Sequence, residues 1–217
     1  MGTMRVDIWS DIGCPWCYVG KRRFEKALAD FEHRDDVEVA YHSFELDPSH
    51  PTDKTVPVTE MLTGKFGMPL AQVEAAEARL AATAAAEGLG YDHNRHAGNT
   101  FDFHRLAHWA AEQGKQQQLL DHAYAVHFGE ARSVHTTDAL VELAAGAGLD
   151  PEEARAVLAG GRYADDVRAD EAQARELGIT GVPFYVLDGR YGVSGAQPTE
   201  VFAQALDQAY QDAAATR

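Results

Sequence analysis

Met4-Arg5-Val6-Asp7-Ile8-Trp9, then Ser10-Asp11-Ile12-Gly13, then Cys14-Pro15-Trp16-Cys17 is the stretch whose reading decides the fold. Residues 5–9 read as a short strand, and Ser10 to Gly13 as a polar connection. A long helix follows from about Cys14 to Phe31. Its apolar positions, Cys17, Gly20, Phe24, Ala27, Leu28 and Phe31, keep a 3.6-residue repeat. Two thiols three positions apart at the start of a helix can close an intramolecular disulfide. The first helical turn offers unpaired N–H groups and a partial positive charge, and both favour the reactive thiolate. Cys14, at the tip, is expected to be the exposed attacker. Cys17, in line with the buried stripe, is expected to resolve the mixed disulfide. Pro15 sits where a missing N–H costs nothing. Trp16 either flanks a substrate surface or covers the helix end.

The two cysteines are the only ones in 217 residues. A structural disulfide framework uses more of them, spread along the chain. The competing reading of C-x-x-C is half a zinc site, which needs two more ligands. His104 and His108, four apart on one expected helix, make a Cys₂His₂ site conceivable. Zinc cysteines, however, usually sit on a tight knuckle rather than at the mouth of an amphipathic helix. No metal is therefore expected, and both histidines also read as ordinary positions on a bundle helix.

Beyond the first helix, Val37, Val39 and Tyr41 alternate with Glu38, Ala40 and His42, the period of a second strand. A parallel pair with a right-handed crossover is the default topology. Residues 46–58, with Pro48, Pro51 and Pro57, read as loop. Helical segments are then expected near 59–66, 70–87, 100–113, 115–128, 137–146, 151–159 and 162–177. Gly88 and Gly178 stand where left-handed C-terminal caps fall. Asp150 precedes Pro151 as an N-cap. Strand pattern returns at Phe184-Tyr185-Val186-Leu187, followed by an Asp188-Gly189 hairpin turn and a return strand from Arg190 to Ser194. Gln197-Pro198 opens a last helix. Strands thus flank a helical middle of more than 100 residues, as in one sheet interrupted by an insertion.

Composition narrows the function classes. Apolar residues at 45% and charged residues at 24% describe an ordinary globular chain. The formal charge of −15 repels phosphate backbones and anionic bilayers, so neither nucleic acid nor a membrane is an expected partner. No apolar run approaches the roughly 18 to 20 residues of a membrane span. The N-terminus lacks the basic, apolar and small-residue order of a secretory signal. A cytoplasmic location is the expectation.

Taken together, the strand, Cys14-Pro15-Trp16-Cys17, the helix, the second strand, the helical insertion, Gly181-Val182-Pro183 and the hairpin resemble the DsbA-type thioredoxin-like oxidoreductases. The closest resemblance is to the FrnE-like branch, grouped with 2-hydroxychromene-2-carboxylate isomerases and kappa-class glutathione transferases. Ser10, Asn99-Thr100 with His104-Arg105, and Ser194-Gly195-Ala196-Gln197-Pro198 add to it. The resemblance implies an α/β thioredoxin-like fold with an all-helical insertion between its βαβ and ββα halves. The thioredoxin-like part would take residues 1–55 and 176–217, and the insertion 56–175. It also implies that Cys14 is the nucleophile, Cys17 the resolving thiol and Pro183 a cis-proline beside them. Pattern alone leaves that isomer open, since X-Pro bonds are cis only about 5–6% of the time. Val182 would offer its backbone to an extended substrate or to glutathione. Asn99, Thr100 and His104 would lie where the insertion faces the site, although Asn99 also reads as a helix N-cap. Ser194 and Gln197 would match the loop that holds the γ-glutamyl end of glutathione in related enzymes, and they equally read as turn and cap residues.

The isomerase and transferase relatives place a serine where this chain has Cys14. Two cysteines favour dithiol–disulfide exchange with protein thiols and disulfides or with glutathione as co-substrate. No resident cofactor is required. The alternatives are a glutathione-dependent isomerase or transferase, and a non-enzymatic metal-binding or partner-docking domain. Monomer and homodimer are both compatible with the sequence.

Overall fold

The computed structural model describes residues 3–215. The chain divides into two compact units, residues 1–46 with 170–217, and residues 47–169.

The first unit is built on a four-stranded sheet of order β2-β1-β5-β6. Strand β1 is Met4–Ser10, β2 Val37–Ser43, β5 Phe184–Leu187 and β6 Tyr191–Ser194. β1 and β2 run parallel from Met4 opposite Val37 to Ser10 opposite Ser43. β1 and β5 run antiparallel, with Ile8 opposite Tyr185 and Trp9 opposite Phe184. Side chains alternate across a strand, so these two rows face opposite ways. Trp9 packs with Ala174, Ile179, Phe44, Phe184 and Val186. On the other row Tyr185 meets Phe24 of helix α1 (Pro15–Asp30) and Phe202 of helix α9 (Thr199–Ala215), with ring centroids 5.4 and 4.6 Å away. α1 and α9 pack along one another. Their far ends are tied by Tyr210, which stacks on His33 at 4.1 Å and donates to Asp36 Oδ2 at 2.8 Å. The β5–β6 hairpin turns at Asp188 and Gly189, whose φ values of 52° and 65° fit a two-residue primed turn.

The outer strand β2 is fastened by charge. His42 Nε2 lies 2.7 Å from Asp7 Oδ1 and Nδ1 lies 2.8 Å from Asp170 Oδ1. The ring stacks on Trp9 at 4.5 Å. Asp170 also accepts from the N–H of Ser43 at 2.7 Å. Burial works against a charged imidazole, but the bonds it donates to the Asp170 and Asp7 carboxylates outweigh this and raise His42 to about 9.

The second unit is helical: α2 Val58–Gly64, α3 Leu70–Ala86, α4 Phe101–Glu112, α5 Gln116–Tyr124, α6 Thr137–Gly146, α7 Pro151–Ala159 and the start of α8 Ala164–Glu176. Asp150 caps α7 as its sequence suggests, accepting from Glu152 and Glu153 N–H. Arg105, 4% exposed, closes the other end of α7. Its guanidinium donates to the carbonyls of Val157 and Gly160 and bonds Asp102 Oδ1 at 2.7 Å. A second buried pair joins Arg95 Nη1 to Glu77 Oε2 at 2.8 Å, with the Arg95 guanidinium 5.0 and 5.2 Å from the ring centres of Tyr91 and Phe128.

Three features depart from the sequence reading. Within the stretch read as loop, Thr55–Pro57 forms β3, which pairs antiparallel with β4, His96–Gly98. Three-residue strands leave no periodicity to detect. The helix expected over 115–128 stops being α-helical at Tyr124 and finishes as a π-helical turn, Ala125–Gly129. There the carbonyls of Val126 and Phe128 accept from Arg132 and Asp92 N–H. Finally, the units meet at 46/47 and 169/170 rather than at 55/56 and 175/176. Asp170 and Ala174 join the sheet unit through His42, Ser43 and Trp9, whereas Asp47 pairs with Lys65 of the helical unit.

Candidate functional site

Strand β1 delivers the chain into a tight loop, and one side chain shapes it. Asp11 is 2% exposed. Its Oδ1 accepts from Gly13 N–H at 3.2 Å and its Oδ2 from Leu46 N–H at 2.8 Å. Its backbone carbonyl accepts from Cys14 N–H at 3.1 Å. The loop therefore arrives at α1 with Cys14 as the N-cap, in an extended conformation (φ −96°, ψ 111°), and Pro15 inside the first turn. The Cys14 carbonyl accepts the first helical bonds, from Cys17 and Tyr18 N–H at 3.0 and 3.4 Å. That first turn contains no acidic residue, so nothing in it offsets the positive end of the helix dipole. In sequence Asp11 reads only as part of a polar connection. Its signal was an acid three residues before the first cysteine.

Both cysteines are free thiols. Cys14 is not the exposed residue expected from its place at the helix tip. It is 5% exposed, against 2% for Cys17, because its sulfur turns onto the Val182 carbonyl, donating at 3.5 Å. Trp16, 42% exposed, is the surface residue of the motif. Cys17 is fully enclosed. Burial pushes its thiol well up, the adjoining Cys14 adds to this, and the Asp11 charge acts in the same direction, while a backbone bond from Asp11 opposes it.

Val182 is joined to Pro183 by a cis peptide bond. The Pro183 carbonyl accepts from Gly195 N–H at 2.8 Å, bringing the loop after β6 alongside. In that loop Gly195 is left-handed (φ 81°), and Gln197 Nε2 donates to the Ser194 carbonyl at 2.8 Å. Ser194 and Gln197 thus bond to each other as turn residues, and Arg23 of α1 reaches over to the Ala196 carbonyl at 2.9 Å. Ser10, at the end of β1, is buried and accepts from Phe44 N–H through its carbonyl.

Asn99, Thr100 and His104 belong to the helical unit. The N-cap position of α4 falls on Thr100, not Asn99. Asn99 supplies the capping bond from one residue earlier, its Oδ1 accepting from Phe101 N–H at 3.0 Å while its Nδ2 donates to the His50 carbonyl at 3.0 Å. His104 is buried on α4 against Phe103. Among the described residues no group of three or more His, Cys, Asp or Glu is placed to hold a metal ion, and no helix is long and apolar enough to cross a membrane.

A sheet of this order, paired thiols at the mouth of α1 and a cis-proline opposite them define a thioredoxin-type architecture with an inserted helical unit. Residues 5–207 match the DSBA-like thioredoxin domain family, and the chain belongs to that family. Its fold closely follows that of a probable DsbA oxidoreductase from Streptomyces coelicolor, with 61% identity, a TM-score of 0.93, and coverage of 96% of this chain and 90% of that one. Two more distant structures share the fold. The cytosolic disulfide reductase DsbM from Pseudomonas aeruginosa, solved with glutathione, is 19% identical, with a TM-score of 0.67 and coverage of 95% and 99%. A 2-hydroxychromene-2-carboxylate isomerase is 14% identical, with a TM-score of 0.71 and coverage of 98% and 99%.

Proposed function

We propose that the protein is a thiol–disulfide oxidoreductase that works through Cys14 and Cys17 on protein thiols and disulfides. The supporting observation is the placement of two free thiols across the first turn of α1, with Cys14 Sγ held at the Val182 carbonyl beside cis-Pro183. In the reducing direction the Cys14 thiolate attacks one sulfur of a substrate disulfide. A Cys14–substrate bond forms, and the other substrate sulfur leaves as a thiolate and takes a proton from solvent. Cys17 then loses its proton, bonds to Cys14 Sγ and expels the second substrate thiolate, leaving the Cys14–Cys17 disulfide. Oxidation of a substrate dithiol is the same sequence reversed. The backbone of Val182 is the edge along which an extended substrate would lie, and Trp16, exposed within the Cys14–Cys17 motif, would contribute to the same surface. In a cytoplasmic setting, where thiols are kept reduced, reduction or isomerisation is the favoured direction.

Insulin reduction tests this reading directly. Wild-type protein should turn over, and Cys14→Ser should not. Turnover surviving in Cys14→Ser rejects the proposal.

A second reading, glutathione-dependent transfer or isomerisation, draws support from the glutathione bound by DsbM. Under it, Val182 and the Ser194–Gln197 loop would hold the tripeptide. Glutathione binding by calorimetry, together with activity retained in Cys17→Ser, would favour it over dithiol exchange. Glutathione as co-substrate of the first reading requires both thiols.

A further inference from the structure

Tyr185 lies on β5, two residues past Pro183, and is 1% exposed. Its ring sits among Phe24 and Phe202. Its hydroxyl reaches the backbone of α1 one turn beyond Cys17. A Cβ placed on Gly20 would stand 2.7 Å from the Tyr185 oxygen, 3.0 Å from Pro183 Cγ and 3.3 Å from Ala196 Cβ. The hydroxyl has no hydrogen-bond partner among the described residues. A buried, unpaired hydroxyl carries a desolvation cost that a phenyl ring of the same shape avoids. Packing therefore favours phenylalanine at this position, and the oxygen calls for another explanation.

We propose that Tyr185 is a positioning residue for the redox couple, its rotatable O–H dipole stabilising the thiolate that forms when the Cys14–Cys17 disulfide opens. This rests on the reading of the two cysteines as a redox pair. The phenol itself stays neutral: burial pushes its ionisation well up, and the neighbouring Cys17 and Cys14 charges add to that. With no partner to hold it, the O–H is free to turn about its C–O bond, and it stands at the Gly20 backbone one turn beyond Cys17 and beside Pro183, next to the Val182 carbonyl that holds Cys14 Sγ. In apolar surroundings a dipole acts on a charge far more strongly than in water. No bond is made or broken at Tyr185; it shifts the balance between the disulfide and the reduced pair in which one sulfur is a thiolate and the other a thiol.

The test is the redox equilibrium of the full chain in buffers of reduced and oxidised glutathione, with the rate of iodoacetamide alkylation followed against pH. Tyr185→Phe removes only the oxygen and should fold at least as stably as wild type. Its equilibrium constant for reduction by glutathione should fall by roughly threefold to tenfold. Its thiol alkylation profile should move to higher pH. Phe202→Leu perturbs the same ring cluster but keeps the phenol, and should shift neither readout. Tyr185→Phe matching wild type in both readouts would overturn the inference, as would Phe202→Leu reproducing the Tyr185→Phe shifts. A wild-type protein that forms no Cys14–Cys17 disulfide at any glutathione ratio overturns the redox reading itself, and this inference with it.

Discussion

The sulfur of Cys14 donates to the carbonyl oxygen of Val182 at 3.5 Å, across 168 positions of sequence. This contact joins the mouth of α1 to the cis peptide before β5 and makes one surface of two distant segments. It also explains why the leading cysteine is buried although it stands at a helix tip.

The two thiols should therefore differ in chemistry more than in exposure. Cys17 is held protonated by burial, by Cys14 and by the Asp11 charge. At neutral pH, limiting iodoacetamide should label Cys14 first, read by peptide mass spectrometry. Cys17→Ala should accumulate a mixed disulfide through Cys14 when incubated with a disulfide substrate, seen as a reducible adduct. Preferential labelling of Cys17 would reverse the assigned roles.

Asp11 should be indispensable to the loop before α1. Asn at this position keeps one acceptor oxygen but presents an NH₂ group where a second oxygen now receives an N–H. One of the bonds to Gly13 and Leu46 must be lost. Asp11→Asn should lower stability by about 1.5–3 kcal/mol, the contribution of a hydrogen bond to a charged group. Urea unfolding measures this. An unchanged midpoint would mean that the loop is held by other contacts.

The clamp on β2 should make stability fall in alkali. The folded-state value of His42, about 9, lies above its ordinary 6.5. Its contribution is thus complete below 6.5 and is lost as pH rises through about 9, an amount of about 3 kcal/mol. Asp7 is shifted the opposite way: burial raises it, but the bonds from His42 and Arg5 prevail and lower it, so its share is lost only as pH falls into the carboxylate range. Urea unfolding at about pH 6 and about pH 9.5 should show the alkaline decline in wild type and a smaller one in His42→Gln. Equal declines in the two proteins would remove His42 from the explanation.

Gly20→Ala should destabilise despite occupying a helix. Alanine gains about 1 kcal/mol of helix propensity over glycine. Against this, the new methyl group would stand 2.7 Å from the Tyr185 oxygen and 3.0 Å from Pro183 Cγ. Neither group can retreat easily, because Tyr185 is wedged between Phe24 and Phe202 and Pro183 is fixed in the β5 approach. Overpacking of about 1–3 kcal/mol should win, lowering the thermal midpoint. A higher midpoint would show that the Tyr185 ring can move.

Much of the fold was legible in sequence because its signals are local. The 3.6-residue repeat across Cys17, Gly20, Phe24 and Ala27 marks α1, and the α7 cap at Asp150-Pro151 and the turn at Asp188-Gly189 each lie within a few adjacent residues. The spacing of Cys14 and Cys17 is likewise a local fact, and it is enough to single out the candidate site and the chemistry proposed for it. Asn99 reads as a helix cap from sequence as well as by resemblance, whereas Arg105 stands out by resemblance alone and its bonds at the end of α7 come only with the tertiary structure.

What sequence alone determined, then, was the order of elements, the helix that carries the thiols and which residues could react. The folded chain decided how they are arranged: the cis bond before Pro183, the burial of Cys14 against Val182, the grip of Asp11 on Leu46, the His42 clamp and the small β3–β4 pair. Each of these joins residues well separated in the chain, or fixes an isomer that no neighbouring residue dictates. Their energies arise from desolvation and bonding between segments that meet only on folding, so periodicity and spacing carry no trace of them.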